Sequence, residues 1–232
     1  MSHVVRKVEY VIEQSFDAMT GLMNRSGFEA QLQESMKSLG GEHDAHQLIY
    51  FDLDNLQLVN DTFGQEAGDE VIRRFAQILE EHLPRNAVAT RLTGDNFAVL
   101  LSHSTLDDAL SLTALVRDDG DKLRYLQGDK SLQVTVSIGI AALESGSTSE
   151  SDVLTAARIA CDTAKDHGRD RVEVYDQDDQ SIVRRYDDMH LVADIQKMLD
   201  GAGFDLLAQP IVSLQKKRKS RRFEILLRMK DS

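Results

Sequence analysis

Apolar residues recur along this chain in two rhythms, and their alternation lays out the elements. Val5, Val8, Ile12 and Phe16 fall at three- and four-residue spacing and predict an amphipathic helix ahead of the turn-like DAMTG at 17–21. Such a helix either lies on its own domain or pairs two protomers. A second helix is predicted from Ser26 to Leu39, with Ser26 as its cap and GGEHD as its end. A short apolar strand, Gln47 to Phe51, comes next. After Asp54 a short helix runs towards Gly64, and Val71, Phe75, Ile78 and Leu79 form the buried stripe of a longer one ending near Pro84. Strands at 87–92 and 97–101 flank TGDN, a composition suited to a tight hairpin with Asp95 at its tip. Residues 105–126 read as helix, and LQVTVSIGIAAL at 132–143 has the β-branched density of a central strand. Val153, Ala157, Ala160 and Ala164 mark a last helix, and VEVY at 172–175 completes the unit.

This order favours an α/β (α+β) sandwich, with a mainly antiparallel central sheet and helices on both faces, over a dinucleotide-binding doubly wound sheet. Neither GxGxxG nor GxxxxGK occurs. From Asp176 to Tyr186 the text turns polar, then Met189, Val192, Ile195 and Leu199 resume a helical apolar surface, a linker and docking helix. The tail reads as strand, charged hairpin, strand, and is too short to fold alone.

Composition narrows the function classes. Among 232 residues, 39 acidic against 27 basic ones give a net charge of -12, which disfavours binding to DNA or membrane phosphates but leaves room for a small anionic nucleotide in a local basic pocket. No run approaches a membrane span, and Glu9 and Glu13 interrupt what would be a signal peptide's apolar core, so a cytoplasmic location is expected for this stretch, whatever membrane association the full-length protein has. The single cysteine, Cys161, excludes an internal disulfide framework.

The chemistry concentrates where apolar runs meet turns. Asp52 and Asp95, brought together by neighbouring strands, would offer two hard carboxylates to a divalent cation, with the Leu53 carbonyl as a third oxygen. On spacing alone, Asp52, Asp54 and Asp95 serve equally as water-facing turn and capping residues. Lys165 and Arg169, four apart at a helix end, can reach phosphate oxygens or simply complement the helix dipole. Asn60 and Asp69 supply the amide and carboxylate needed to read a purine edge, or cap local structure.

Five blocks in order resemble the GGDEF family, the diguanylate cyclase domain, from Asp17 to about Tyr175. DAMTGLMNR is similar to its opening DxLTGLxNR, FDLDNLQLVNDTFGQEAGDEVI to its metal and guanine segment, and RLTGDNFAVLL to its RxGGDEFxxLL hairpin; TVSIGIA and AKDHGRDRV resemble its last two blocks. The resemblance implies a nucleotidyl-cyclase, palm-like fold. It assigns metal ligation (magnesium or manganese) to Asp52, Asp95 and the Leu53 carbonyl. Asn60 and Asp69 fall to guanine, Lys165 and Arg169 to phosphate, and Gly94 to the nucleotide-facing hairpin. In that family two protomers face each other and condense two GTP into cyclic di-GMP.

The departures fall on the signature. Thr93 stands for a glycine and Asn96 for the family's glutamate, which removes a carboxylate; Leu56 and Gln57 replace Phe and Lys, removing a phosphate-facing cation. The RxxD product-inhibition motif would fall at Pro84 to Ala87 and is absent. Beyond, AQPIVSL resembles the YQPIVxL of the EAL cyclic di-GMP phosphodiesterases, although Ala208 replaces its aromatic, and FEILLRM resembles the strand whose Glu binds metal, matched by Glu224. These resemblances divide the chain into a signalling helix (1–16), a GGDEF-like domain (17–176), a linker helix (177–202) and the truncated start of an EAL-like domain (203–232). The expected function is a degenerate GGDEF domain that binds GTP or a related guanine nucleotide with magnesium and regulates the attached phosphodiesterase, itself answering an upstream sensor. The alternatives are a residual, homodimeric diguanylate cyclase and a non-catalytic dimerisation or docking module.

Overall fold

Why this chain folds as a sheet covered on both sides is visible in the strand Ala45–Asp54, where every residue but the first is buried. The computed structural model describes residues 15–40, 45–144, 149–176, 204–211 and 222–229. The elements are β1 (Met23–Asn24), α1 (Arg25–Ser38), β2 (Ala45–Asp54), α2 (Leu56–Phe63), α3 (Gln65–His82), β3 (Ala87–Thr93), β4 (Asn96–Leu101) and α4 (Leu106–Asp118). A 3-10 turn (Asp119–Leu123) follows, then β5 (Tyr125–Gln127), β6 (Lys130–Leu132), β7 (Thr135–Glu144), α5 (Glu150–Asp166), β8 (Val172–Val174), β9 (Phe204–Ile211) and β10 (Arg222–Met229).

Six strands form one mixed sheet in the order β1-β3-β4-β2-β7-β8. Its four central strands pair antiparallel, while β1 and β8 add at the edges in parallel. Side-chain alternation sorts the core into two layers. Ile49, Phe51, Leu53, Phe97, Val99, Ile138 and Ile140 pack under Val71, Phe75, Ile78 and Leu79 of α3. Leu48, Tyr50, Ala98, Leu100, Ala141 and Leu143 face Phe28 and Leu32 of α1 and Val153, Ala157 and Cys161 of α5. Gly139 lets α5 lie directly on β7, since a Cβ there would run into the backbone of Ala157 and Cys161.

The α+β sandwich is therefore the observed fold, and the structure corrects several of its expected details. Asn24, not Ser26, caps α1: its Oδ1 accepts from the Gly27 N–H at 3.0 Å. The helix expected over 105–126 ends at Asp118, because the chain turns through Gly120 to bury Leu123 and then forms the small β5–β6 hairpin around Gly128, whose φ is +60°. That hairpin takes Leu132, so β7 begins only at Thr135. The strand expected over Gln47–Phe51 runs from Ala45 to Asp54, and the β3–β4 connection is tighter than four residues, since Thr93 and Asn96 already pair. Of the predicted helices, residues 1–14 and 186–199 lie outside the described residues, while Phe16, expected at the end of the first, forms an antiparallel bridge to Met23 instead. In the tail, β9 and β10 form a separate antiparallel ribbon that sets Glu224 opposite Gln209.

Candidate nucleotide and metal site

Asp52 stands near the C-terminal end of β2, directly opposite Asn96 on β4. This register draws the β3–β4 turn against it: the Leu53 N–H donates to the Asp95 carbonyl at 3.2 Å. Gly94 makes the turn with a φ of +53°, in the left-handed region that glycine adopts freely. Arg91 holds the same turn from behind. Its guanidinium donates to the Gly94 carbonyl at 2.9 and 3.0 Å and to Asp17 at 3.2 Å, tying the DAMTG segment to the hairpin. Burial opposes the charge on Asp17, yet hydrogen bonds from Thr20 and the Arg91 charge hold its carboxyl below the usual range. Sequence reasoning assigned no task to Arg91 or Asp17; an arginine and an aspartate at the starts of two separate blocks were the available signal.

The helix end beyond Cys161 delivers the cations. Lys165 Nζ lies 2.5 Å from Asp52 Oδ2, and Arg169 Nε lies 3.8 Å from Asp54 Oδ1. Burial pushes the Asp52 carboxyl up to about 6, Lys165 pulls it down, and the neighbouring charges of Asp95 and Asp54 add to the rise. On Lys165 burial acts downward but the Asp52 contact prevails, so its pKa is raised. Asp54 differs from its neighbour: its side chain is wholly buried and accepts from Thr135 Oγ1 and Ser137 Oγ, each at 2.8 Å. Asp54 is thus an internal anchor.

The two residues expected to read guanine lie at the α2–α3 junction. Gly64, with φ of +92°, breaks the chain between the two helices and returns its N–H to the Asn60 carbonyl. The Asn60 side chain then fits against Gly68, where a Cβ would collide with its amide oxygen. Asp69 follows at once, half-buried. Among the described residues, Asn60 Oδ1 is the buried side-chain atom that finds no hydrogen-bond partner, an uncommon state for a group whose desolvation costs about 1–3 kcal/mol.

Among the described residues no group of three or more His, Cys, Asp or Glu side chains forms a cation cage. Asp52 and Asp95 would be a sparser set, of the kind magnesium accepts, since it takes one or two carboxylates and completes its shell with waters and substrate phosphates. Burial raises the Asp52 pKa first and the charges of Asp95 and Asp54 add to it, a condition that a divalent cation would relieve.

Residues 14–171 match the diguanylate cyclase GGDEF domain. The chain belongs to the GGDEF family. The chain is 31% identical over 173 residues to the probable diguanylate cyclase DgcE of Escherichia coli, covering 75% of this chain and 16% of that protein. It is 29% identical over 221 residues to the cyclic di-GMP phosphodiesterase PdeB of Shewanella oneidensis, covering 94% of this chain and 25% of that one. The chain thus spans a quarter or less of these curated relatives. Among solved structures, the diguanylate cyclase SiaD of Pseudomonas aeruginosa, in complex with its activator SiaC, superposes with a TM-score of 0.66 at 29% identity, over 74% of this chain and 66% of that one. The GGDEF domain is a cyclic di-GMP signalling module related to diguanylate cyclases and phosphodiesterases. No helix among the described residues is long and apolar enough to cross a membrane.

The residues that differ from the signature are placed as follows in this GGDEF domain. Asn96 does not replace the missing carboxylate; its Nδ2 lies 3.3 Å from Asp95 Oδ1 and donates to it. Gln57 turns along its own helix to Asp61 at 2.7 Å, and Thr93 is exposed on the hairpin.

Proposed function

We propose that residues 17–176 bind GTP with magnesium and, when two copies face each other, condense it slowly to cyclic di-GMP. The observation that carries this reading is the unpartnered Asn60 Oδ1 against Gly68, with Asp69 next in the chain, an acceptor and a carboxylate suited to the N–H groups of guanine. Asp52 and Asp95, with the Leu53 carbonyl, would hold the cation, which neutralises phosphate charge when bound. Lys165 and Arg169 would orient the phosphates, the former released from Asp52 as the cation arrives. Slow turnover follows from Asn96, which offers no carboxylate to take a proton from the attacking hydroxyl, and from the absence of a lysine at Gln57. The test is incubation of the purified protein with GTP and either magnesium or manganese, with product chromatography. Accumulation of cyclic di-GMP above a protein-free control supports the reading; binding of GTP with no product shifts the domain to a purely regulatory role.

A second reading is favoured by the PdeB alignment, which at 94% of this chain must take in most residues after 176. In it, residues 203–232 begin an EAL-like domain with Glu224 as a metal ligand, 177–202 link it to the GGDEF domain, and 1–16 pair protomers or carry an upstream signal. GTP would then act as a regulator of cyclic di-GMP hydrolysis. A ligand can do this only through unequal affinity for two states of the pair. Hydrolysis by the full-length protein, measured with and without saturating GTP, decides it: an identical rate in a preparation that binds GTP ends this reading.

A further inference from the structure

Gly168, Arg169 and Asp170 follow one another with φ of +115°, +63° and +47°. Three consecutive residues on the left-handed side are unusual, since glycine alone enters that region freely and arginine does so at a cost the surroundings must offset. The helix end explains the first two: the Gly168 N–H returns to the Lys165 carbonyl and the Arg169 N–H to that of Ala164. Asp170 is held by two other parts of the fold. Its N–H donates to Asp54 Oδ2 at 3.3 Å, and Arg117 of α4 grips it from the opposite side, donating to the Asp170 carbonyl at 2.8 Å and to its carboxylate at 3.3 Å. Thr135 and Ser137 fix the Asp54 carboxylate that receives this bond.

We propose that Asp54 and Arg117 act together as a clamp on Asp170 that sets the turn carrying Arg169, and thereby the placement of the phosphate-facing cations beside Asp52. Both are positioning residues: in the apo fold Asp54 lies inside the sheet's end, and Arg117 acts only through Asp170. The inference rests on the nucleotide-site reading above and extends it to α4, an element that contributes nothing to that site directly. The clamp has a chemical requirement. One guanidinium serves a carbonyl and a carboxylate at once, which a lysine ammonium does not reproduce in the same planar fork.

The experiment compares Arg117→Ala, Arg117→Lys and Asp54→Asn in the whole chain, with two readouts. Binding of GTP with magnesium is measured beside binding of guanosine, which has no phosphate. Amide hydrogen exchange at residues 168–171 is followed by NMR without nucleotide. The clamp predicts at least a fivefold loss of GTP affinity in Arg117→Ala, guanosine affinity within twofold of wild type, an intermediate loss in Arg117→Lys, and faster exchange confined to the turn. Arg117 is partly exposed, so its variants remain informative if Asp54→Asn does not fold. Equal loss of GTP and guanosine, or unchanged exchange at 168–171, overturns the proposal. A wild type that binds no GTP overturns the nucleotide reading and this functional claim with it, whereas variants that bind GTP as well as a competent wild type overturn the clamp alone.

Discussion

Lys165 Nζ and Asp52 Oδ2 stand 2.5 Å apart at the junction of α5 and β2. The ammonium balances a buried carboxylate that Asp95 and Asp54 also crowd. On the proposed nucleotide reading, a divalent cation at Asp52 would compete with Lys165 and free that lysine for a phosphate. Cation and phosphate binding would then be coupled through one side chain.

Removing the second acid tests the cation site. Asp95→Ala is expected to weaken magnesium-dependent GTP binding by at least about 1.4 kcal/mol, a factor of ten, by titration calorimetry. Unchanged affinity would remove Asp95 from the metal site.

The Asp52 pKa gives this coupling a pH signature. Cation binding needs the ionised carboxylate, so GTP affinity with magnesium should hold above pH 7 and fall as pH drops through about 6. The stability sign is opposite. A folded-state pKa raised above the unfolded value means that the folded protein takes the proton more readily, so this group's contribution to stability improves as pH falls from above 6 towards 4. Titration calorimetry at pH 7.5 and 5.5 checks the first effect, and a flat affinity would dissociate Asp52 from the cation.

Base choice should reside at the α2–α3 junction. Asn60→Ala forfeits no internal hydrogen bond of its amide oxygen, so thermal stability should move by less than about 1 kcal/mol while preference for GTP over ATP falls. Asp69→Ala should lower the same preference. Parallel loss of both nucleotides would point to phosphate contacts or misfolding instead.

Close packing of α5 on the sheet predicts sensitivity at Gly139. A methyl group there meets the backbone of Ala157 and Cys161, neither of which can rotate away, so Gly139→Ala should destabilise by about 1–3 kcal/mol in urea unfolding. An unaltered midpoint would mean that α5 shifts without cost.

Turnover should respond to the missing groups together. Thr93→Gly with Asn96→Glu and Gln57→Lys is expected to raise cyclic di-GMP production, each restored charge being worth up to about a hundredfold in a well-placed site. Asn96→Glu alone should do less, because the phosphate-facing cation is still absent. No gain in the triple variant would place the limit elsewhere, for example in the meeting of two protomers.

The sequence by itself determined the order of elements and the two faces of the sheet, because both depend on local rhythm. Residues two apart on a strand share a face, so Ile49, Phe51 and Leu53 separate from Leu48 and Tyr50 without knowledge of their partners. The five matching blocks also named Asp52, Asp95, Asn60, Asp69, Lys165 and Arg169 before any distance was known. Local rhythm failed where the chain turns through few residues, at the β5–β6 hairpin and the Asn24 cap, since a short polar turn has no period. Only the tertiary structure decided which charges meet. Asp54 reaches the Asp170 N–H across 116 residues, and Arg91 reaches Asp17 across 74. It also separated two aspartates that look alike in sequence, leaving Asp52 at the edge of the site with Lys165 and sealing Asp54 among hydroxyls. Strand alternation puts both on one face, but desolvation and partner geometry depend on what packs over each, and α5 and the turn after it supply that cover.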